Sequence, residues 1–197
     1  MVEYNGLLYI GTRNSFEGPK VIATDGSLLG TATAYELYPY NEAIKAMTVW
    51  NGSLFFSSEN FVSGVEVYEY DGSTWFQSNN DGFGNANNTA AKSMTVYDGS
   101  LYVGTDNEWD GAELWRFDGS IWTRVTHTGF GDYYNYYFNS LVKYDTRLFV
   151  GTYNDNTGTE IWASEPAAAP SFDVTGSVMN VVQADGSVYT FLEVDLT

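Results

Sequence analysis

The sequence predicts an all-β protein built from a repeated four-stranded antiparallel unit, and three observations predict it. First, one hairpin pattern recurs four times: Tyr4-Asn5-Gly6-Leu7-Leu8-Tyr9-Ile10-Gly11-Thr12, Trp50-Asn51-Gly52-Ser53-Leu54-Phe55-Phe56-Ser57-Ser58, Tyr97-Asp98-Gly99-Ser100-Leu101-Tyr102-Val103-Gly104-Thr105 and Tyr144-Asp145-Thr146-Arg147-Leu148-Phe149-Val150-Gly151-Thr152. Its leucines, Leu8, Leu54, Leu101 and Leu148, stand 46, 47 and 47 residues apart, a fixed period of the kind that marks repeat architectures. Second, Asn-Gly and Asp-Gly pairs join short apolar and aromatic runs, the strongest short hairpin signal because a type I′ turn needs positive φ at both central residues. Third, no helical stretch separates the runs, which excludes a parallel α/β fold.

Taken in order, the first unit (residues 1–46) is the most degenerate, yet Gly18-Pro19-Lys20-Val21-Ile22-Ala23-Thr24-Asp25-Gly26-Ser27 aligns without gaps on Gly111 to Ser120. The second (47–93) adds Gly64, Glu66, Trp75 and Gly82-Phe83-Gly84, which keep step with Gly111, Glu113, Trp122 and Gly129-Phe130-Gly131 of the third (94–140). In that third unit strands are expected at Met94–Tyr97, Leu101–Gly104, Glu113–Phe117 and Ile121–Val125, with turns at Asp98-Gly99 and Asp118-Gly119. The fourth (141–180) keeps Gly158 and Glu160-Ile161-Trp162 but decays where Pro166-Ala167-Ala168-Ala169-Pro170 replaces the second hairpin turn. Residues 181–197 then look like a partial fifth repeat or an edge hairpin, with Asp185-Gly186 as its turn.

Four short strands per unit at this period point to a β-propeller of four-stranded antiparallel blades, four blades plus an extra C-terminal hairpin. Three arrangements fit the surplus: a small four-bladed ring with an added hairpin, a piece of a longer propeller, or an edge that pairs with another chain. In the order hairpin, long loop, hairpin, ending in a strand Trp, the unit resembles the kelch repeat. It is still more similar to the repeats of exported bacterial and archaeal propellers, through Leu101-Tyr102-Val103-Gly104-Thr105, Gly111-Ala112-Glu113-Leu114-Trp115-Arg116, Trp122 and Gly129-Phe130-Gly131-Asp132. The resemblance covers nearly the whole chain and implies a propeller, an extracellular or cell-surface setting, and a binding or scaffolding role. It departs from kelch where Gly104-Thr105 replaces the paired Gly after the second strand.

The 197 residues carry 25 Asp and Glu against 8 Lys and Arg, a formal net charge of -17, with only 17% of residues charged. The basic residues are scattered singly, so nucleic acid and anionic membrane surfaces, which are bound by clustered Lys and Arg, are not expected partners. With 44% hydrophobic residues the chain can bury a core, and no window approaches the length of a membrane-spanning helix. Cysteine is absent, which removes disulfides, thiolate nucleophiles and Cys-based zinc sites. The first residues, Met1-Val2-Glu3-Tyr4-Asn5-Gly6, lack the basic region and apolar run of a signal peptide, so an exported protein would be represented here by its mature part or by a piece of it.

Strand parity sets the tight Asn-Gly and Asp-Gly turns on one side of each unit and the long second-to-third and fourth-to-first connections on the other, where function is expected. Those loops mix rings with amides and carboxylates. The candidate ligand-binding residues are Trp109, Tyr133, Tyr134, Tyr136, Tyr137, Asn154, Asp155 and Asn156, because flat rings stack on the C–H faces of a sugar while amides and carboxylates bond its hydroxyls. The competing expectation is that the tyrosines pack inside the protein and the Asn and Asp residues only make turns. Asp106, Glu108, Asp110 and Glu113 approach the alternate spacing of an oxygen-rich Ca²⁺ loop, or else form a solvated acidic loop. Glu66, Glu113 and Glu160 recur with the repeat, which favours a structural role such as accepting backbone N–H bonds at a strand start, and Trp75 and Trp122 are expected between blades. His127 has no Cys or second His beside it in sequence and reads as a loop residue.

No nucleophile motif or phosphate-cradling loop is present, and 25 acids select no glycosidase pair, so the expectation is a protein that is not an enzyme and needs no cofactor beyond a candidate Ca²⁺. Two roles follow. One is an extracellular binding module that recognises a glycan or a protein surface through its long loops. The other is a structural subunit that self-associates by strand pairing through residues 181–197.

Overall fold

The computed structural model describes residues 1–27, 31–37 and 40–165, together with strands at 178–182 and 188–193. The chain forms two compact units, Met1–Lys92 and Ser93–Thr197. The Pro166 to Pro170 segment and the Asp185-Gly186 turn lie outside the described residues.

Antiparallel strands in chain order make up the regular structure described, apart from two short 3-10 turns. In the first unit β1 (Val2–Tyr4), β2 (Leu7–Gly11), β3 (Lys20–Thr24) and β4 (Thr31–Glu36) form a four-stranded sheet. After it, β5 (Asn41–Trp50), β6 (Ser53–Asn60), β7 (Val67–Tyr70) and β8 (Trp75–Gln77) pair in the same succession. Strand β9 (Ala90–Tyr97) begins in the last residues of that unit. In the second unit come β10 (Ser100–Asp106), β11 (Leu114–Phe117) and β12 (Trp122–Arg124), then β13 (Tyr137–Tyr144), β14 (Arg147–Tyr153) and β15 (Ile161–Ser164). The strands β16 (Val178–Val182) and β17 (Val188–Glu193) pair with each other, and β17 pairs with β15, so the C-terminal hairpin widens the sheet of the fourth repeat.

The first hairpin turn of the repeat has the conformation its residues require. Asn5 and Gly6, Asn51 and Gly52, and Asp98 and Gly99 all have positive φ, the type I′ geometry that matches the twist of the flanking strands. The second hairpin turn closes differently. Asp71 Oδ1 accepts the amides of Ser73 and Thr74, and Asp118 Oδ1 those of Ser120 and Ile121. These bonds hold both carboxyls below the usual Asp range.

A more specific regularity lies where the second strand ends. Thr12, Ser58, Thr105 and Thr152 each accept, on the side-chain hydroxyl, the amide of the residue eight positions on, at 2.7, 3.0, 2.8 and 3.0 Å. The backbone amides of the same four residues bond the carbonyls of Lys20, Glu66, Glu113 and Glu160. The strand end also catches the next repeat through equivalent pairings, Arg13 with Ala43, Glu59 with Ala90 and Asp106 with Tyr137. Beside the first of these, Glu59 is buried and meets Arg13 at 3.2 Å and Lys45 at 2.9 Å.

Each unit has its own apolar core where one repeat packs on the next. In the first, Tyr4, Tyr9 and Val21 pack against Leu54 and Phe56, with Trp75 stacked on Tyr35 and Tyr70 at centroid distances of 5.1 and 4.4 Å. In the second, Tyr97, Tyr102 and Leu114 pack against Leu148, Val150 and Trp162. The expected role of Trp75 between repeats therefore holds, whereas Trp122 stacks on Phe117 of its own hairpin at 4.8 Å.

The Gly-Phe-Gly segments form short 3-10 turns, Asp81–Gly84 and Thr128–Gly131, in which Gly and Phe are both left-handed. Their purpose is contact. A Cβ on Gly64, itself at φ +95°, would stand 2.6 Å from Gly82 Cα, so two backbones touch where any side chain would part them. Gly64→Ala should therefore cost more than about 2 kcal/mol, against about 1 kcal/mol for Gly52→Ala, which is left-handed but in open space. Urea denaturation midpoints check this; equal midpoints for the two variants would refute the close-approach explanation.

Candidate functional site

The long loops are assembled by a set of local bonds that recurs from repeat to repeat. After each second strand an asparagine folds the chain back on itself: Asn14, Asn60, Asn107 and Asn154 accept on Oδ1 the amides two and three residues ahead, at 2.8–3.1 Å. The amide of Asn107 then reaches the carbonyl of Tyr136 at 2.7 Å, and Ala112 that of Asn135 at 2.8 Å, which ties the loop at 107–113 to the loop at 125–136. Asn154 extends the tie to the third loop, donating Nδ2–H bonds to Asp132 Oδ2 and Asn135 Oδ1, both at 3.1 Å. Thr157 also donates to Asp132, at 3.2 Å.

Beneath the loops the recurring glutamates organise side chains. Glu66 accepts from Asn41, Asn60 and Tyr68 at 2.9, 3.2 and 2.8 Å. Glu113 accepts from the Trp115 indole and the Arg124 guanidinium, both at 2.9 Å, and Glu160 from Asn135 and the Trp162 indole, both at 2.8 Å. The structural role expected from their recurrence holds, but the carboxylate partners are side-chain donors instead of strand-start amides. A carboxylate that is buried must be paired in this way, since burying it unpaired costs several kcal/mol.

On this support the tyrosines form a chain of ring contacts. Tyr133 and Tyr134 are 4.0 Å apart between centroids, Tyr134 and Tyr136 6.0 Å, Tyr136 and Tyr137 6.3 Å, and Tyr137 stacks on Tyr153 at 5.1 Å and 20°. Tyr137 donates its hydroxyl to Glu108. Tyr133, half exposed at 50%, forms the open end, and its phenol is pushed up to about 12 by its hydrogen bond with Tyr134 and then by desolvation. Desolvation, followed by the negative charge of Asp155, also raises Tyr136, and desolvation with the Glu108 bond raises Tyr137. All three rings are therefore neutral phenols at physiological pH.

The eight expected ligand residues thus separate. Tyr133, Tyr134, Tyr136 and Tyr137 come together, with Asp155 close enough to Tyr136 to shift its ionisation. Asn154 is buried and acts as the tie between loops, and Asn156 and Thr157 supply amides to it. Trp109 is 75% exposed, anchored by its amide on Asn107 Oδ1. The proposed metal ligands Asp106, Glu108, Asp110 and Glu113 are not gathered around one point: Glu113 holds Trp115 and Arg124, Glu108 holds Tyr137, and among the described residues no three His, Cys, Asp or Glu side chains are grouped to hold a metal. His127 sits exposed at the head of its 3-10 turn.

Sequence reasoning missed Asp132 and Tyr153 as members of the cluster. It also missed the asparagine series at 14, 60, 107 and 154, although spacings of 46, 47 and 47 were available to find it. No protein-family model matches the chain, and no curated protein is significantly similar to it.

Asn107 has no solvent exposure and its Oδ1 serves two amides, so Asn107→Ala should cost about 1–3 kcal/mol through the two unsatisfied donors. Trp109→Ala, two residues on, should stay within about 0.5 kcal/mol. Denaturation midpoints of the two variants give the comparison, and an undiminished midpoint for Asn107→Ala would remove the asparagine from its supporting role.

Proposed function

We propose that this protein is a non-catalytic binding module of the propeller type, acting outside the cell, whose tyrosine-rich loops take a neutral glycan. The observation that carries this reading is the ring chain from Tyr153 to the half-exposed Tyr133, flanked by the oxygens of Asp132, Asp155 and Glu108. A pyranose presents apolar C–H faces and a rim of hydroxyl donors. Flat phenols meet the first and carboxylates the second. The acceptor-rich surroundings disfavour an anionic ligand, because bringing a like charge beside Asp132 and Asp155 would be repulsive.

Four consecutive antiparallel strands in each of the first three repeats, with equivalent strand-end pairings from one repeat to the next, support the propeller reading. The non-catalytic reading rests on the state of the loop carboxylates. Asp132 accepts from Asn154 and Thr157, and Glu108 from Tyr137, so each is held in a hydrogen-bond network of the loops and the two form no facing carboxyl pair. The extracellular setting rests on the resemblance to exported propeller repeats.

Calorimetric titration against a panel of neutral and sulfated oligosaccharides tests the proposal. Binding is expected to a neutral member, to weaken by about tenfold in Tyr133→Ala, a loss of about 1.4 kcal/mol, and to persist in EDTA. Raised phenol ionisation keeps the proton on Tyr133, Tyr136 and Tyr137. Affinity should accordingly be flat between about pH 6 and pH 9. Failure of every neutral sugar to bind would sink the glycan reading.

A further inference from the structure

The four loops that follow the second strands share one frame and differ in the side chain it displays. Phe16, Val62, Trp109 and Asn156 occupy the same position, 46, 47 and 47 residues apart, and each donates its backbone amide to Oδ1 of the asparagine two residues earlier. The asparagine is therefore what the fold requires there, whereas the side chain at the tip differs from repeat to repeat. In the third repeat it is an indole that is 75% exposed, so it adds little to the core.

The residues on either side of Trp109 lie against the tyrosine chain. Glu108 accepts the Tyr137 hydroxyl, and Tyr137 stacks on Tyr153. Gly111 packs near the other end, where a Cβ on it would stand 3.1 Å from Tyr133 Cα and from Gly129 N. The loop thus runs along the rings from Tyr137 to Tyr133, with the indole between its two anchors. The stretch from Gly111 back to Trp109 reaches at most about 7 Å. Within the chain of rings the open members are the ends, Tyr133 and Tyr153, at 50% and 40% exposure, and the rings between them, Tyr134, Tyr136 and Tyr137, are half-buried. Exposed ring surface is therefore divided among separate platforms instead of forming one patch that a single sugar would cover.

Building on the glycan reading, we infer that the site takes a linear chain of neutral sugars at least two residues long, with one residue stacked on Tyr133 and another on Trp109. A pyranose presents one face to one ring, so a monosaccharide leaves one of these two rings in water, while successive residues of an oligosaccharide cover both. The frame is set before a ligand arrives. Asn107 Oδ1 holds the amides of Trp109 and Asp110, and the Asn107 amide holds the Tyr136 carbonyl, so stacking on the second ring requires no ordering of the loop. Two modest contacts joined in one ligand then reinforce each other, because the second forms within an existing complex. The charges of Asp132 and Asp155 beside Tyr136 disfavour an acidic polysaccharide of the same length.

Calorimetric titration of the full chain with glucose, mannose, xylose and N-acetylglucosamine, and with their linear β-linked oligomers up to the tetrasaccharide, tests the length requirement. In a series that binds, affinity should rise by about tenfold or more from the monosaccharide to the trisaccharide. Trp109→Ala should remove that rise, so that mono- and trisaccharide bind alike, and Trp109→Tyr, which keeps a flat ring, should retain most of it. Tyr133→Ala should weaken binding at every length. Tryptophan fluorescence supplies a second readout: saturating trisaccharide should shift the emission of the wild-type chain and leave that of Trp109→Ala in place, with circular dichroism confirming that each variant is folded. A series bound equally at all lengths, or a gain with length that survives Trp109→Ala, would overturn the inference and leave the glycan reading standing. Absence of binding by every monosaccharide and oligomer would instead remove the glycan reading, and the length requirement with it.

Discussion

The corner at the end of each second strand is the interaction on which the rest of the molecule depends. There a hydroxyl, from Thr12, Ser58, Thr105 or Thr152, accepts the amide of the residue that starts the descent into the third strand, while the backbone of the same residue bonds the carbonyl across the loop. Ser58, Thr105 and Thr152 are buried, so the groups they satisfy have no water to turn to and would otherwise remain unpaired at a cost of about 1–3 kcal/mol each. Serine and threonine fit because a hydroxyl accepts through its lone pairs while the short side chain keeps the strands in register.

From this corner the loop geometry follows. The asparagine two positions on closes the loop backbone, the glutamate eight positions on turns its carboxylate towards indole, guanidinium or amide donors, and the glycine between them permits contact with the Gly-Phe-Gly turn. The tyrosine chain rests on this scaffold and gains its arrangement from it: Tyr136 is placed by the bond from Asn107 to its carbonyl, and Asp132 by Asn154 and Thr157. A binding surface on loops needs such rigid support, because ordering loose side chains at the moment of binding would consume the affinity they provide.

Repeat proteins are held by contacts between neighbours, here Tyr4 and Tyr9 on Leu54 and Phe56 in the first unit and Tyr97 and Tyr102 on Leu148 and Val150 in the second. Burial differs between repeats: Leu8 and Tyr144 are exposed, whereas Leu54, Leu148, Tyr4 and Tyr97 are buried. An aromatic or leucine side chain left in water forgoes about 1.5–3 kcal/mol relative to its buried counterparts.

By itself the sequence determined the all-β class, the four hairpin turns and the phase of the repeats, because these depend on local rules. Positive φ selects Asn-Gly and Asp-Gly, alternation selects the strand faces, and a fixed period is readable without knowing what it packs against. Tertiary structure alone decided which side chains met. Asn154 and Asp132 are 22 residues apart and Tyr137 and Glu108 are 29 apart, and nothing in their spacing distinguishes a ligand from a tie between loops. Likewise Asp106, Glu108, Asp110 and Glu113 have alternate spacing suited to a cation, yet the carboxylates of Glu108 and Glu113 are drawn to Tyr137 and Arg124. The physical reason is that a charged or polar side chain in a half-buried loop goes to the nearest complementary donor in space, and only the folded chain specifies which donor that is.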